Sequence, residues 1–120
     1  MAPWQEPVLG RLFAAVRVPL LGGGRVLNAT SSQGLLSALE QLPVQAGTRV
    51  PMVLNVAARA VSGPLDIRGD HSDFYYALNT GWIVLCARDP QAAYDLNFAA
   101  IRIGEHPDVR LPVMVVYDGF

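Results

Sequence analysis

Four groups of side chains carry the chemistry open to this sequence. The first is the run Ala29-Thr30-Ser31-Ser32-Gln33-Gly34-Leu35. Hydroxyls at a strand-to-helix turn can cap free N–H groups, a helix start favours anions, and small residues let a ligand approach the backbone. An ordinary helix N-cap is the alternative. The serines do not form a hydrolase nucleophile elbow, because the G-x-S-x-G pattern is absent. The second is Arg59, which ends a strongly apolar run. A guanidinium grips a carboxylate through two parallel hydrogen bonds. The alternatives are a surface arginine or a structural ion pair with Asp70 or Asp73. The third group is Asp66, Asp70, His71 and Asp73. Their spacing matches no named metal motif, so a solvated or hydrogen-bonded loop is expected and no metal site is assigned. The fourth is Glu6, a carboxylate ahead of an apolar helix. It is either a proton relay or simply solvated.

The elements that must position these groups follow from periodicity. Residues 8–18 predict a helix with Leu9, Leu12, Phe13 and Val16 on one face, stopped by Pro19 and Gly22-Gly23-Gly24. Residues 25–29 predict a short strand, followed by a helix through Leu35, Leu36, Leu39 and Leu42 that Pro43 bends or ends. The run 51–58 (PMVLNVAA) has the continuous apolar character of a strand buried on both faces of a parallel sheet. Residues 60–73 form a Gly/Pro/Asp-rich loop, and 74–78 a short helix closed by Gly81. Another strand is expected at 82–87. Asp89 is then the N-cap and Pro90 the first residue of a helix ended by Gly104 and Pro107. A final strand covers 112–117. Strands alternating with helices predict an α/β domain with a mostly parallel sheet and helices on both faces. In such sheets ligands collect at the carboxyl ends of the strands, which singles out the loops 29–34, 59–73 and 118–120.

The chain has 120 residues, suited to one domain over 1–120, and 52% of them are hydrophobic, which excludes a disordered tail. Nine basic residues, all arginine, and ten acidic ones leave a net charge of -1 with no basic block, so no nucleic-acid or membrane-surface role is expected. No apolar stretch reaches the roughly 18 residues of a membrane span. The single cysteine, Cys86, can neither form an internal disulfide nor hold an iron–sulfur cluster on this chain. It fits a reducing, cytoplasmic compartment.

Read in order, NATSSQGL (28–35), LNVAARA (54–60), GDHSD (69–73), NTGW (79–82) and LPVMVVYDGF (111–120) resemble the alpha subunit of 2-oxoacid (pyruvate):ferredoxin oxidoreductases in its N-terminal pyrimidine-binding domain. The resemblance covers 24–120, and residues 1–23 diverge. It implies a truncated thiamine diphosphate-binding fold and a part in the oxidative decarboxylation of pyruvate or a related 2-oxoacid to acyl-coenzyme A, an activity that needs partner chains. It implies that Arg59 binds the substrate carboxylate and that Thr30, Ser31, Ser32, Gln33 and Gly34 line the cofactor pocket near the aminopyrimidine. Thiamine diphosphate would be shared with a beta subunit whose diphosphate-binding domain brings the magnesium site, since Gly69-Asp70 is followed here by His71. Gamma and delta ferredoxin-type subunits would carry the clusters, with ferredoxin and coenzyme A as further partners.

The sequence departs from the family in two places. The helix before the turn is not Ala/Gly-rich, and Glu6 aligns with the family's activating glutamate only if extra residues are allowed. Leu78-Asn79 stands where the family has Arg-Asp. The second functional reading is therefore a non-catalytic remnant, or an assembly or structural subunit of the same complex.

Overall fold

The computed structural model describes residues 22–63, 66 and 69–118. Glu6 and the helix expected over residues 8–18 lie outside them. The described elements are β1 (Leu27–Thr30), α1 (Gln33–Ser37), α2 (Gln41–Gly47), β2 (Val53–Ala58), α3 (Ser72–Tyr75), β3 (Ile83–Cys86), α4 (Pro90–Glu105) and β4 (Val113–Asp118). The strands form one four-stranded sheet in the order β1-β2-β4-β3, with every pairing parallel.

The two most continuous apolar runs became the two central strands, as burial on both faces requires. Side chains alternate across a strand, so each central strand feeds two cores. Leu54, Val56 and Ala58 of β2, with Met114 and Val116 of β4, meet Leu35, Ala38, Leu42, Ala46, Phe74, Ala77 and Trp82 on one face. Val53, Val113 and Val115 meet Ala100 of α4 on the other, with Leu96 and Ile101 packed against them. Helices therefore cover both faces, and the architecture is the expected α/β one. Leu35, Leu42, Leu54 and Met114 are fully buried, each contributing ~1.5–3 kcal/mol.

Three local expectations needed correction. The helix expected after the serines is two helices, broken at 38–40. The break places Pro43 third in α2, inside a first turn whose N–H groups have no intrahelical acceptor to lose. The short helix near residue 74 starts earlier, at Ser72, and gives way to a turn before Gly81, whose φ of 84° suits a residue without Cβ. Gly104 does not end α4 but lies buried within it. A Cβ there would stand 2.8 Å from the Leu111 carbonyl oxygen, so the glycine permits helix and chain to touch.

Candidate functional site

β1 and β2 are parallel neighbours whose last register pair is Thr30 with Val56. Their carboxyl ends therefore emerge side by side, and the residues that follow, 31–34 and 59–60, face one another beyond the ladder. Thr30 closes β1 and is half-buried. Ser31 is half-buried, and its Oγ accepts a hydrogen bond from Arg59 Nε at 2.9 Å. Gly34 donates its N–H to the Ser31 carbonyl at 3.0 Å. Gln33, the first residue of α1, is exposed, and its Oε1 lies 2.7 Å from Ser32 Oγ.

Ser32 occupies the N-cap position of α1 but makes no side-chain cap bond, contrary to the ordinary capping expectation. It is fully buried with φ 48° and ψ -120°, a backbone conformation that an L-residue holds only when its surroundings over-determine it. Two long-range bonds do so. The Ser32 N–H donates to Asp73 Oδ2 at 2.8 Å, and the Ser32 hydroxyl donates to the Ala60 carbonyl at 2.7 Å.

Asp73 is the residue whose role the sequence did not disclose. Its side chain is fully buried. Oδ2 accepts from Ser32 N and also from Arg59 N at 3.2 Å, while Oδ1 accepts from Phe74 N at 2.8 Å. A buried carboxylate needs such compensation, and here three backbone N–H groups supply it. Asp73 thus binds the main chain of residue 59. The Arg59 guanidinium turns to Ser31 instead of forming the ion pair considered from sequence. Among the described residues the terminal guanidinium nitrogens of Arg59 carry no further hydrogen bond. That end of the fork is the one suited to a carboxylate.

The remaining loop residues disperse. Asp70 Oδ1 accepts from Ser72 N at 2.6 Å, and hydrogen bonds from the Ser72 hydroxyl and then its N–H hold the Asp70 carboxyl below the usual range. The Ser72 hydroxyl oxygen accepts from Val61 N at 3.1 Å. His71 Nε2 lies 2.7 Å from Asp118 Oδ1 and ties the loop to the end of β4. Among the described residues no three His, Cys, Asp or Glu side chains are grouped to hold a metal ion. Leu78 and Asn79 lie exposed in the turn after α3. The fold brings together Thr30, Ser31, Ser32, Gln33, Gly34 and Arg59; Glu6 lies outside the described residues. Nothing in the spacing of GDHSD told its last aspartate from the others. A buried acid at the start of a helix becomes recognisable only once the strand ends have been placed.

The donor set suits an uncharged heteroaromatic ring better than a diphosphate. It offers hydroxyls, an amide and small side chains at one turn, and a single arginine whose Nε is held by Ser31. Among the described residues no helix is long and apolar enough to cross a membrane.

The chain is similar to known proteins over most of its length. Residues 13–120 match the family described as pyruvate flavodoxin/ferredoxin oxidoreductase, thiamine diphosphate-binding. The chain is 48% identical over 108 residues to pyruvate synthase subunit PorA of Thermotoga maritima, covering 90% of this chain and 28% of that protein. It is 44% identical over 98 residues to the subunit of the same name from Methanocaldococcus jannaschii, covering 82% and 25%. It is 37% identical over 112 residues to a pyruvate-flavodoxin oxidoreductase of Nostoc, covering 92% and 27%. The chain thus spans about a quarter of the length of the curated relatives it matches.

Proposed function

Because the chain belongs to the pyruvate flavodoxin/ferredoxin oxidoreductase, thiamine diphosphate-binding family, we propose that it forms the pyrimidine side of the active site in a 2-oxoacid:ferredoxin oxidoreductase complex. The observation that supports this reading is the 2.9 Å bond from Arg59 Nε to Ser31 Oγ, which joins the arginine to the serine-rich turn. Thr30, Ser31, Gln33 and Gly34 would line the aminopyrimidine, with the buried Ser32 fixing the turn.

Thiamine diphosphate, when bound, supplies the nucleophilic carbon and the electron sink for decarboxylation. This chain's residues orient the substrate. The terminal nitrogens of Arg59 hold the 2-oxoacid carboxylate, and Ser31 on Nε keeps the fork from swinging away. The fixed pose would orient the keto carbon and limit its other approaches. Pyruvate or a close 2-oxoacid is the substrate class, supported by the names of the relatives. Partner chains supply the rest: a beta subunit with the diphosphate and magnesium site, and gamma and delta ferredoxin-type subunits passing electrons to ferredoxin, with coenzyme A as acyl acceptor. A cytoplasmic setting is supported by the lone thiol.

A non-catalytic or assembly role is the second reading. It is favoured by Leu78-Asn79, which stand exposed where the family pattern has Arg-Asp. Arg59→Ala in the assembled complex tests the first reading. The expected result is a loss of ~2–5 kcal/mol in kcat/KM for the 2-oxoacid, carried mostly by KM, with cofactor affinity retained. An unchanged specificity constant removes Arg59 from the site.

A further inference from the structure

We propose that Asp73 is the positioning residue of this site, a buried carboxylate that clamps the serine turn to the Arg59 strand end so that both face the substrate in fixed register. The inference rests on the reading of Arg59 as the substrate grip and adds a residue that touches neither substrate nor cofactor.

The ladder between β1 and β2 ends at Thr30 and Val56. Past that point, the two strand ends are tied directly by the Ser32 hydroxyl on the Ala60 carbonyl and by Arg59 Nε on Ser31 Oγ. Asp73 arrives from a third segment, and one of its oxygens takes an N–H from each strand end, Ser32 N at 2.8 Å and Arg59 N at 3.2 Å. The bridge therefore spans the gap at main-chain level, where side-chain rotamers cannot absorb a change. Ser32 makes it sensitive. Its φ of 48° is one that serine abandons readily when the carboxylate no longer holds the N–H. Relaxation of Ser32 shifts Ser31, and Ser31 sets the guanidinium.

The chemistry calls for a carboxylate and not its amide. All three partners of Asp73 are N–H donors, two on Oδ2 and one on Oδ1. Asparagine has the same shape, but its amide nitrogen would meet a donor whichever way it turned. Asp73→Asn is thus an isosteric break. Ser32→Gly relieves only the strain, since glycine holds a positive φ unaided, while it takes away the hydroxyl bond to the Ala60 carbonyl.

The test uses the assembled complex containing this chain, with three variants: Asp73→Asn, Ser32→Gly/Asp73→Asn, and Arg59→Ala. Amide hydrogen exchange is read at residues 31–34 and 59–60 and across α4, and KM and kcat are measured for pyruvate. Asp73→Asn is expected to speed exchange at least tenfold in both strand-end segments and leave α4 unchanged, with pyruvate KM rising about tenfold and kcat falling less. The double variant relieves the backbone strain but also loses the Ser32 hydroxyl bond to the Ala60 carbonyl, so it is expected to keep exchange fast at both segments and KM raised. It carries the test if the single variant fails to assemble. Unchanged exchange at both segments overturns the clamp, as does α4 opening in proportion, the sign of simple destabilisation. If Arg59→Ala raises KM while Asp73→Asn and the double variant do not, the positioning role alone fails. If Arg59→Ala leaves KM unaltered, the substrate reading fails and the positioning role with it.

Discussion

The β3–α4–β4 unit and the β1–α1 turn are built by opposite means. α4 begins by local rules: the Asp89 carboxylate accepts from Ala92 N at 2.7 Å, three residues on, and Pro90 fills the first helical position. The turn after β1 offers three hydroxyl residues in a row and caps nothing with them. Its contacts reach instead 28 residues to Ala60 and Arg59 and 41 residues to Asp73. The turn after β3 supports itself within a helical turn. The turn after β1 is held by segments far apart in the chain, around Ser32 with its φ of 48°. That contrast is expected where a site must keep a conformation its own residues do not prefer.

The largest effect should come from removing the long-range anchor. Asp73→Ala leaves the buried N–H groups of Ser32 and Phe74, and the half-buried one of Arg59, without this acceptor. Each orphaned donor costs about 1–3 kcal/mol, so the loss should be ~2–5 kcal/mol. A denaturant midpoint with an unchanged m-value measures it. A loss no larger than that of a single helix cap would erase the contrast.

The local half contains one exception, and Gly104→Ala sharpens it. Alanine raises helix propensity by about 1 kcal/mol over glycine. Here its Cβ would meet the Leu111 carbonyl at 2.8 Å, a backbone atom that cannot rotate away. The clash wins, and a net destabilisation of ~1–3 kcal/mol is expected from thermal or chemical unfolding. A stabilised variant would mean that the chain at Leu111 yields freely. Asp89→Ala comes next, at about 1 kcal/mol, the ordinary worth of a capping carboxylate, read from the same unfolding curves. A loss near that of Asp73→Ala would mean that the local cap also carries tertiary weight.

These effects show what could be seen in the sequence. The parallel α/β architecture was legible because continuous apolar runs at 51–58 and 112–117 admit little but central strands. Asp89-Pro90 was legible because both signals act within one helical turn. The neighbourhood of Thr30 to Gly34 and Arg59 was legible from strand polarity, which sends ligand-binding loops to one edge. Asp73 was not, because it and Asp70 look alike in sequence, and only tertiary placement buries one and leaves the other near solvent. Gly104 was misassigned for the same reason: a glycine near a helix end is ordinarily a terminator, and its contact at Leu111 belongs to the next connection. The split between α1 and α2 was half visible, since Pro43 announced a disturbance but its place inside a first turn depends on where the chain breaks.

The smallest expected effect lies at the opposite, amino-terminal edge of the sheet. Arg25 grips Glu105 through Nε at 2.5 Å and Nη2 at 2.9 Å, and the hydrogen bond from that guanidinium holds the Glu105 carboxyl below its usual range. A folded value below the unfolded one places the stabilisation above the ordinary carboxylate range. It is lost as pH falls through the folded value. The Arg25 side chain is 70% exposed, so water and salt screen most of the attraction. Unfolding midpoints of the native chain and Glu105→Gln, compared between neutral and acidic pH, should differ slightly at neutral pH and low salt and converge on acidification or at high salt. Asp70, lowered in the same direction by Ser72, titrates in both proteins and cancels from the difference. A gap that persists in acid would mean that Glu105 holds the end of α4 by packing, and that this edge too depends on contacts its local sequence does not announce.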